Sequence, residues 1–307
     1  VLASLLTTVL WAFSAVCGTR SAKIIGGTEA NFWRLVCATV MLGLWAHLFG
    51  QGLGGAAFPI FFVSGIIGIG GDIFLFQSYP RIGSRLTILI IQCGAALSGA
   101  AIEWLWQGTR LSASQMAACA TILAGVALAL APGKHLNATR QALTLGIVFS
   151  TLAALANGIA AVLSRKANAV AAQAGQNIGP ATAAYQRLVG GVIVAAICVL
   201  AVRWHRRKSQ TAPVQPDGNL RGKAWRAAWP WVLANAVAGQ TLGVTCYQWA
   251  LKTTPAALVL AIISTSPLVV IPFSQAMEGE KMSRRSILGG VIAVVGAVVL
   301  VTGTTGK

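Results

Sequence analysis

Long apolar runs separated by short polar breaks set the architecture of this chain. Runs of about twenty residues, each long enough to cross the hydrocarbon core of a bilayer as a helix, fall at 2–22, 30–49, 57–79, 84–107, 112–131, 143–166, 181–203, 228–250, 255–277 and 284–303. This pattern predicts an all-α integral membrane protein with ten transmembrane helices. Most breaks are only a few residues long. The exception is RWHRRKSQTAPVQPDGNLRGKAWRA (203–227), which is basic, broken by Pro and Gly, and reads as a flexible surface loop. The first run alone imitates a signal peptide, but nine more follow it. The chain opens at Val1 rather than Met, so further N-terminal residues are expected.

The ten runs divide into two similar sets of five. AFP at 57–59 matches AWP at 228–230, a spacing of 171 residues. At that spacing Gly68 meets Gly239, Gln77 meets Gln248, Leu97 meets Leu268, Gly108 meets Gly279, Ser112 meets Ser283 and Gly125 meets Gly296. Earlier in each set, RLV at 34–36 recurs at 187–189. Span breaks coincide across three helices without a gap. The expected organisation is a five-helix repeat at 1–131, a connecting loop at 132–142 and a second five-helix repeat at 143–307. Five is odd, so the second copy must enter the membrane inverted. Many secondary transporters are built from such repeats, with the binding site near the midplane between the copies.

Composition narrows the class further. The chain is 56% hydrophobic and only 9% charged, with a mean hydropathy of +0.74. A soluble domain carries about a quarter charged residues, so a soluble enzyme is not expected. The formal charge of +17 would point to nucleic acid in a soluble protein. Here the basic residues lie mainly between apolar runs, which is the positive-inside pattern, and no nucleic-acid partner is expected. Lys and Arg crowd the odd-numbered connections, with Arg110, Arg165, Lys166 and Lys252 in the even ones. On that count the odd connections are cytoplasmic and both termini lie outside. Trp33, Trp45, Trp104, Trp106, Trp204, Trp225, Trp229, Trp231 and Trp249 fall near span ends as an interfacial belt, whereas Trp11 sits near mid-span. The six cysteines form no CxxC and no Cys/His cluster, so they read as small buried hydrophobes and no metal is expected. No glycine-rich nucleotide loop is present, and no cofactor is expected.

The stretch SPLVVIPFSQAMEGEKMSRRSILGGVIAVVGAVVLV (266–301) joins a Pro-containing helix, a Gly-Glu turn and a Gly-rich closing helix through Pro267, Gly279, Glu280, Gly290 and Gly296. GDIFLFQSYPRIGSRLTILI (71–90) adds a GD-containing third helix, and WAFSAVCGTRSAK (11–23) a first helix. Over nearly its whole length the chain resembles an EamA-type member of the drug/metabolite transporter superfamily. The resemblance implies a permease or exporter of small polar metabolites, amino acids and drugs among them, in the plasma (inner) membrane. It implies a cavity lined by the first, fourth, sixth, eighth and ninth helices. It also implies cytoplasmic termini, opposite to the charge count. The first copy departs from the pattern: Ala96 stands where Pro267 stands in the second, and Thr109 where Glu280 stands. A gating hinge at Pro267 therefore has no partner in the fourth helix.

Ionisable residues inside spans are costly and invite a functional reading. Asp72 lies past the middle of the third span and Arg34 near the same end of the second, at depths about one helical turn apart. Two readings stand: an Arg34–Asp72 pair that fixes packing, or Asp72 facing a cavity to bind a cationic group or a proton. Arg187 is the repeat mate of Arg34, but Gly243 occupies the mate position of Asp72. Uncharged candidates near mid-span are Trp11, Ser14, Gln92, Asn157, Gln240 and Ser264, joined by Tyr247, which lies closer to one side. Such amides and hydroxyls hold a small zwitterion or hold helices together. Glu103, among Trp104 and Trp106, reads as interfacial. The expected partners are a small solute, the lipid bilayer and a coupling proton or ion, with the chain acting as a monomer. The rival classes are a polytopic enzyme acting on lipid-linked substrates, which needs paired carboxylates or nucleophile–base pairs that the spans do not offer, and a channel.

Overall fold

The computed structural model of the chain describes residues 1–108, 112–130, 139–208 and 218–266, together with 268–269, 285, 288–293, 295–296 and 299. All regular structure among them is helical: α1 (Leu2–Ile25), α2 (Gly27–Phe49), α3 (Phe58–Gln107), α4 (Ala113–Leu130), α5 (Arg140–Gln173), α6 (Pro180–Lys208), α7 (Gly218–Asn235), a π-helical turn (Ala236–Gly243), α8 (Val244–Thr253) and α9 (Ala256–Ile263). Among the described residues, five segments are long and apolar enough to cross a membrane: Leu2–Ile25, Gly27–Phe49, Phe58–Ile82, Arg140–Gln173 and Pro180–His205. Ile90–Trp106 and Ala113–Gly125 are shorter apolar helices. The eighth run is carried by α7, the π turn and α8 in series. The runs at 255–277 and 284–303, and Pro267 with them, lie wholly or largely outside the described residues beyond α9.

Three boundaries differ from the sequence expectation. The third and fourth runs form one unbroken 50-residue helix, α3, with Pro80 inside it. Straight, it would reach about 75 Å, far more than a bilayer is thick. It is not straight. The hydroxyls of Ser78 and Thr87 lie 3.0 Å apart, although nine residues of straight helix would separate them by about 13 Å. The chain therefore folds back between Ser78 and Thr87, a stretch that holds Pro80, whose nitrogen cannot donate and whose ring clashes with the preceding turn. The hydroxyl of Ser78 also bonds that of Ser150, at 2.7 Å, and donates to the carbonyl of Gly146, at 3.0 Å, which pins the bend to α5. Second, α5 continues to Gln173, so Arg165 and Lys166 belong to a helix rather than to a connection. Third, 203–227 is not one loop. Residues 203–208 complete α6 and 218–227 open α7, because Arg, Lys, Ala and Trp tolerate helix well, while 209–217 lie outside the described residues.

Helix ends sort into two groups. At one end, Arg203 of α6 donates to Glu29 of α2 at 2.8 Å, Arg20 of α1 lies over the Trp231 ring, and the bend of α3 meets the start of α5. At the other, past the far end of α2, Gln186 donates to the carbonyls of Gly52 and Gly54, Ala56 N–H donates to Gln176, and Lys252 donates to the carbonyl of Ile178. The helices that open the two halves, α1 and α5, therefore start at opposite ends of the bundle. The core between helices is built largely from Ala and other small residues, and the outer faces expose Leu44, Leu48, Leu97, Leu105, Ile197 and Leu200. Such close approach through small residues is the packing mode of membrane bundles. At Gly65 of α3 an added Cβ would sit 1.8 Å from the carbonyl oxygen of Arg187, so only glycine allows α3 and α6 to meet there.

Candidate functional site

Between the halves lies a cavity of about 120 Å³, well above the volume that admits a single water. Each half supplies an arginine to its wall: Arg34 from α2 and Arg187 from α6. Arg34 is buried, yet its guanidinium has partners at Nε and Nη2. Nε and Nη2 donate to Asn31 Oδ1 at 2.9 and 2.8 Å, and Nη2 donates to Asp72 Oδ2 at 2.6 Å. The Asn31 contact is a local i, i+3 pair on one helix face. The Asp72 contact ties α2 to the first limb of α3, and the two side chains are 5% and 13% exposed. Asp72 thus both faces the cavity and pairs with Arg34. The same guanidinium lies 4.8 Å from the centre of the Phe76 ring.

The second half repeats part of this arrangement. Arg187 lies 5.6 Å from the centre of the Tyr247 ring, and Tyr247 stands at the 171-residue mate of Phe76. A second related pair packs the walls. Ser64 of α3 bonds Ser164 of α5 at 2.8 Å, and its mate Asn235 accepts from Ser14 of α1 at 3.0 Å. Corresponding positions thus make corresponding contacts, α3 on α5 and α7 on α1.

The π turn shapes the cavity wall. One extra residue per turn lets Val244 N–H donate five residues back to the Gly239 carbonyl, and such turns recur at functional sites. The Trp11 indole donates to the same carbonyl at 3.2 Å, and its ring lies 5.2 Å from Tyr247. This explains the mid-span tryptophan that the interfacial belt did not.

The cavity brings together Trp11, Ser14, Asp72, Gln92, Asn157, Gln240 and Tyr247, with Arg34 and Arg187. Ser264 does not join them: it is buried in the last turn after α9 and donates to the Ala261 carbonyl at 2.6 Å, while Ser266 reaches the cavity. Asn157 donates to its own helix at Ala153, at 3.0 Å, whereas the side-chain oxygen of Gln240 is buried with no hydrogen-bond partner. Phe76, Tyr79 and Asn235 also line the cavity and went unrecognised in the sequence. The 171-residue spacing was the signal for two of them, since it links Phe76 to Tyr247 and Asn235 to Ser64.

Glu103 needs correction. It is 1% exposed, accepts the N–H groups of Ala256 and Ala257 at 3.2 Å each, and pairs with Arg165. It is an anionic cap on the N-terminus of α9, where the helix dipole favours negative charge. Among the described residues no cluster of His, Cys, Asp or Glu can hold a metal.

A model of the EamA-like transporter family matches residues 1–131 and again 144–302. The chain belongs to the EamA-like transporter family. That family lies within the drug/metabolite transporter superfamily, so the protein is a multi-pass membrane transporter of this type. A solved structure titled only as the crystal structure of a protein superposes over 100% of this chain and 98% of its own, with a TM-score of 0.74 at 16% identity. That likeness concerns the fold alone. No curated protein matches the chain. Within this EamA-like chain, the expected spans one, four, six, eight and nine all contribute to the cavity, the ninth through Leu260 and Ser266, but spans two, three and seven contribute its charges.

Proposed function

We infer that this EamA-like protein is a secondary carrier of small polar metabolites, moving them across the plasma membrane by alternating access. The observation that carries the reading is the cavity itself, in which polar groups from both halves converge on a space sized for a small solute. Ten spans in two inverted five-helix repeats are the architecture we propose around it. Three features support that architecture: the opposite starting ends of α1 and α5, the repeated Arg-over-ring and Ser/Asn contacts, and the family match falling once on each half. Rocking of one half against the other would expose the cavity to each side in turn. The Arg34–Asp72 pair is the fixed charged element of the wall, and the unpaired oxygen of Gln240 is a free acceptor for the solute.

The test is flux in proteoliposomes holding the purified protein and no nucleotide. A carrier gives uptake that saturates with solute concentration and shows counterflow from preloaded vesicles. Flux linear in concentration, without counterflow, would identify a channel and overturn the reading.

A further inference from the structure

The two arginines occupy equivalent positions but unlike surroundings. Arg34 has an amide and a carboxylate, Asn31 and Asp72. At the mates of those residues the second half has Ala184 and Gly243, so both partners are gone while the arginine stays. Arg187 is 5% exposed, lines the cavity, and among the described residues makes no ion pair or hydrogen bond through its side chain; its Nε is buried and unpartnered. What remains is the Tyr247 ring beside it. Gly68 leaves room for the guanidinium, since a Cβ there would come within 3.0 Å of Nη2. Asp72, the acid of this cavity, is held by Arg34 at 2.6 Å and is not within ion-pair distance of Arg187. A guanidinium inside a membrane protein normally has a partner, because an uncompensated buried charge is costly. The trio of Arg34, Asp72 and Arg187 leaves one positive charge in the cavity wall.

We propose that Arg187 is the docking point for a carboxylate of the transported solute, which in the second half takes the place that Asp72 takes in the first. The planar, forked donor set of arginine suits a carboxylate held through two hydrogen bonds. One uncompensated positive charge calls for a singly charged anionic group. Gln240, also on this wall, offers its unpaired oxygen to an N–H or O–H elsewhere on the same solute. The inference rests on the carrier reading for its biological sense, but the site can be tested by binding alone.

The experiment measures thermal unfolding and binding of the purified full-length protein with butyrate, hexanoate and benzoate. Each is compared with its primary amide and with inorganic phosphate, at matched ionic strength. At least one carboxylate is expected to raise the unfolding temperature of the wild type in a saturable way, with its amide at least tenfold weaker. Arg187→Gln is expected to lose at least tenfold of the carboxylate affinity, and Arg187→Lys to keep part of it. Equal effects of acids and amides, stabilisation by phosphate alone, or no carboxylate binding at 10 mM would each overturn the proposal. These outcomes are read on the wild type, so they stand even if Arg187→Gln does not fold. Retention of carboxylate affinity within twofold in a folded Arg187→Gln would also overturn it. Carboxylate binding at Arg187 without saturable flux of any solute would refute the carrier reading and leave the site intact.

Discussion

Arg34 and Arg187 sit at matching points of two related halves, beside matching rings, yet one is held by an amide and a carboxylate and the other has an unpartnered Nε. The first half holds its charge with residues of its own, Asn31 and Asp72. The second has Ala184 and Gly243 at those places and leaves its charge open to the cavity. The comparison separates two uses of a buried arginine. One is a strut whose value is fixed by the fold. The other, in our proposal, docks an outside group, whose binding adds stability.

The sharpest way to break this comparison is to remove each arginine in turn. Arg34→Met strands Asp72, 13% exposed, without its partner, and should cost about 3–5 kcal/mol of stability in reversible denaturation of the detergent-solubilised protein. Equal costs for Arg34→Met and Arg187→Met would erase the distinction. A second contrast sets Asp72 against Glu103, the other buried carboxylate described above. Glu103→Ala removes the acceptor for two N–H groups of α9 and should cost about 2–3 kcal/mol. Because Glu103 does not line the cavity, solute affinity of the folded variant should stay at the wild-type level, whereas Asp72→Asn should lower transport at least tenfold. Smaller effects test the repeat itself. Ser64→Ala removes two interhelical hydrogen bonds, to Ser164 and to the Ala160 carbonyl, and should cost about 2 kcal/mol, whereas Ser14→Ala removes one, to Asn235, and should cost about 1 kcal/mol. The smallest change is expected for Arg187→Met in the absence of solute. It gives up contact with the Tyr247 ring and relieves a buried charge, so it should fall within about 1 kcal/mol of wild type.

Much of this was legible in the sequence because apolar run length and charge rarity are physical requirements of the bilayer. The charged side chains at Arg34 and Asp72 stood out for that reason, and the repeat spacing marked Arg187 and Gly243 as an unequal pair before any contact was seen. What the pattern did not carry was direction. Ser264 and Ser266 are two residues apart on an apolar run, and only the chain path after α9 decides that Ser266 reaches the cavity. Glu103 carries the same ambiguity: a carboxylate among tryptophans reads as interfacial until the N-terminus of α9 is seen against it. Run length also cannot show that the chain bends between Ser78 and Thr87 without leaving helix, because helical hydrogen bonding continues on both sides of the bend.

The central claim is that Gln92, Asn157 and Gln240 face a water-accessible cavity enclosed by both halves, rather than lipid. It is tested most directly by placing a single cysteine at Gln92 in a chain whose six native cysteines are replaced, and adding a membrane-impermeant maleimide to either side of sealed vesicles. The account predicts labelling from each side, with prior labelling from one side blocking the other. Labelling only by a lipid-permeant reagent would contradict it.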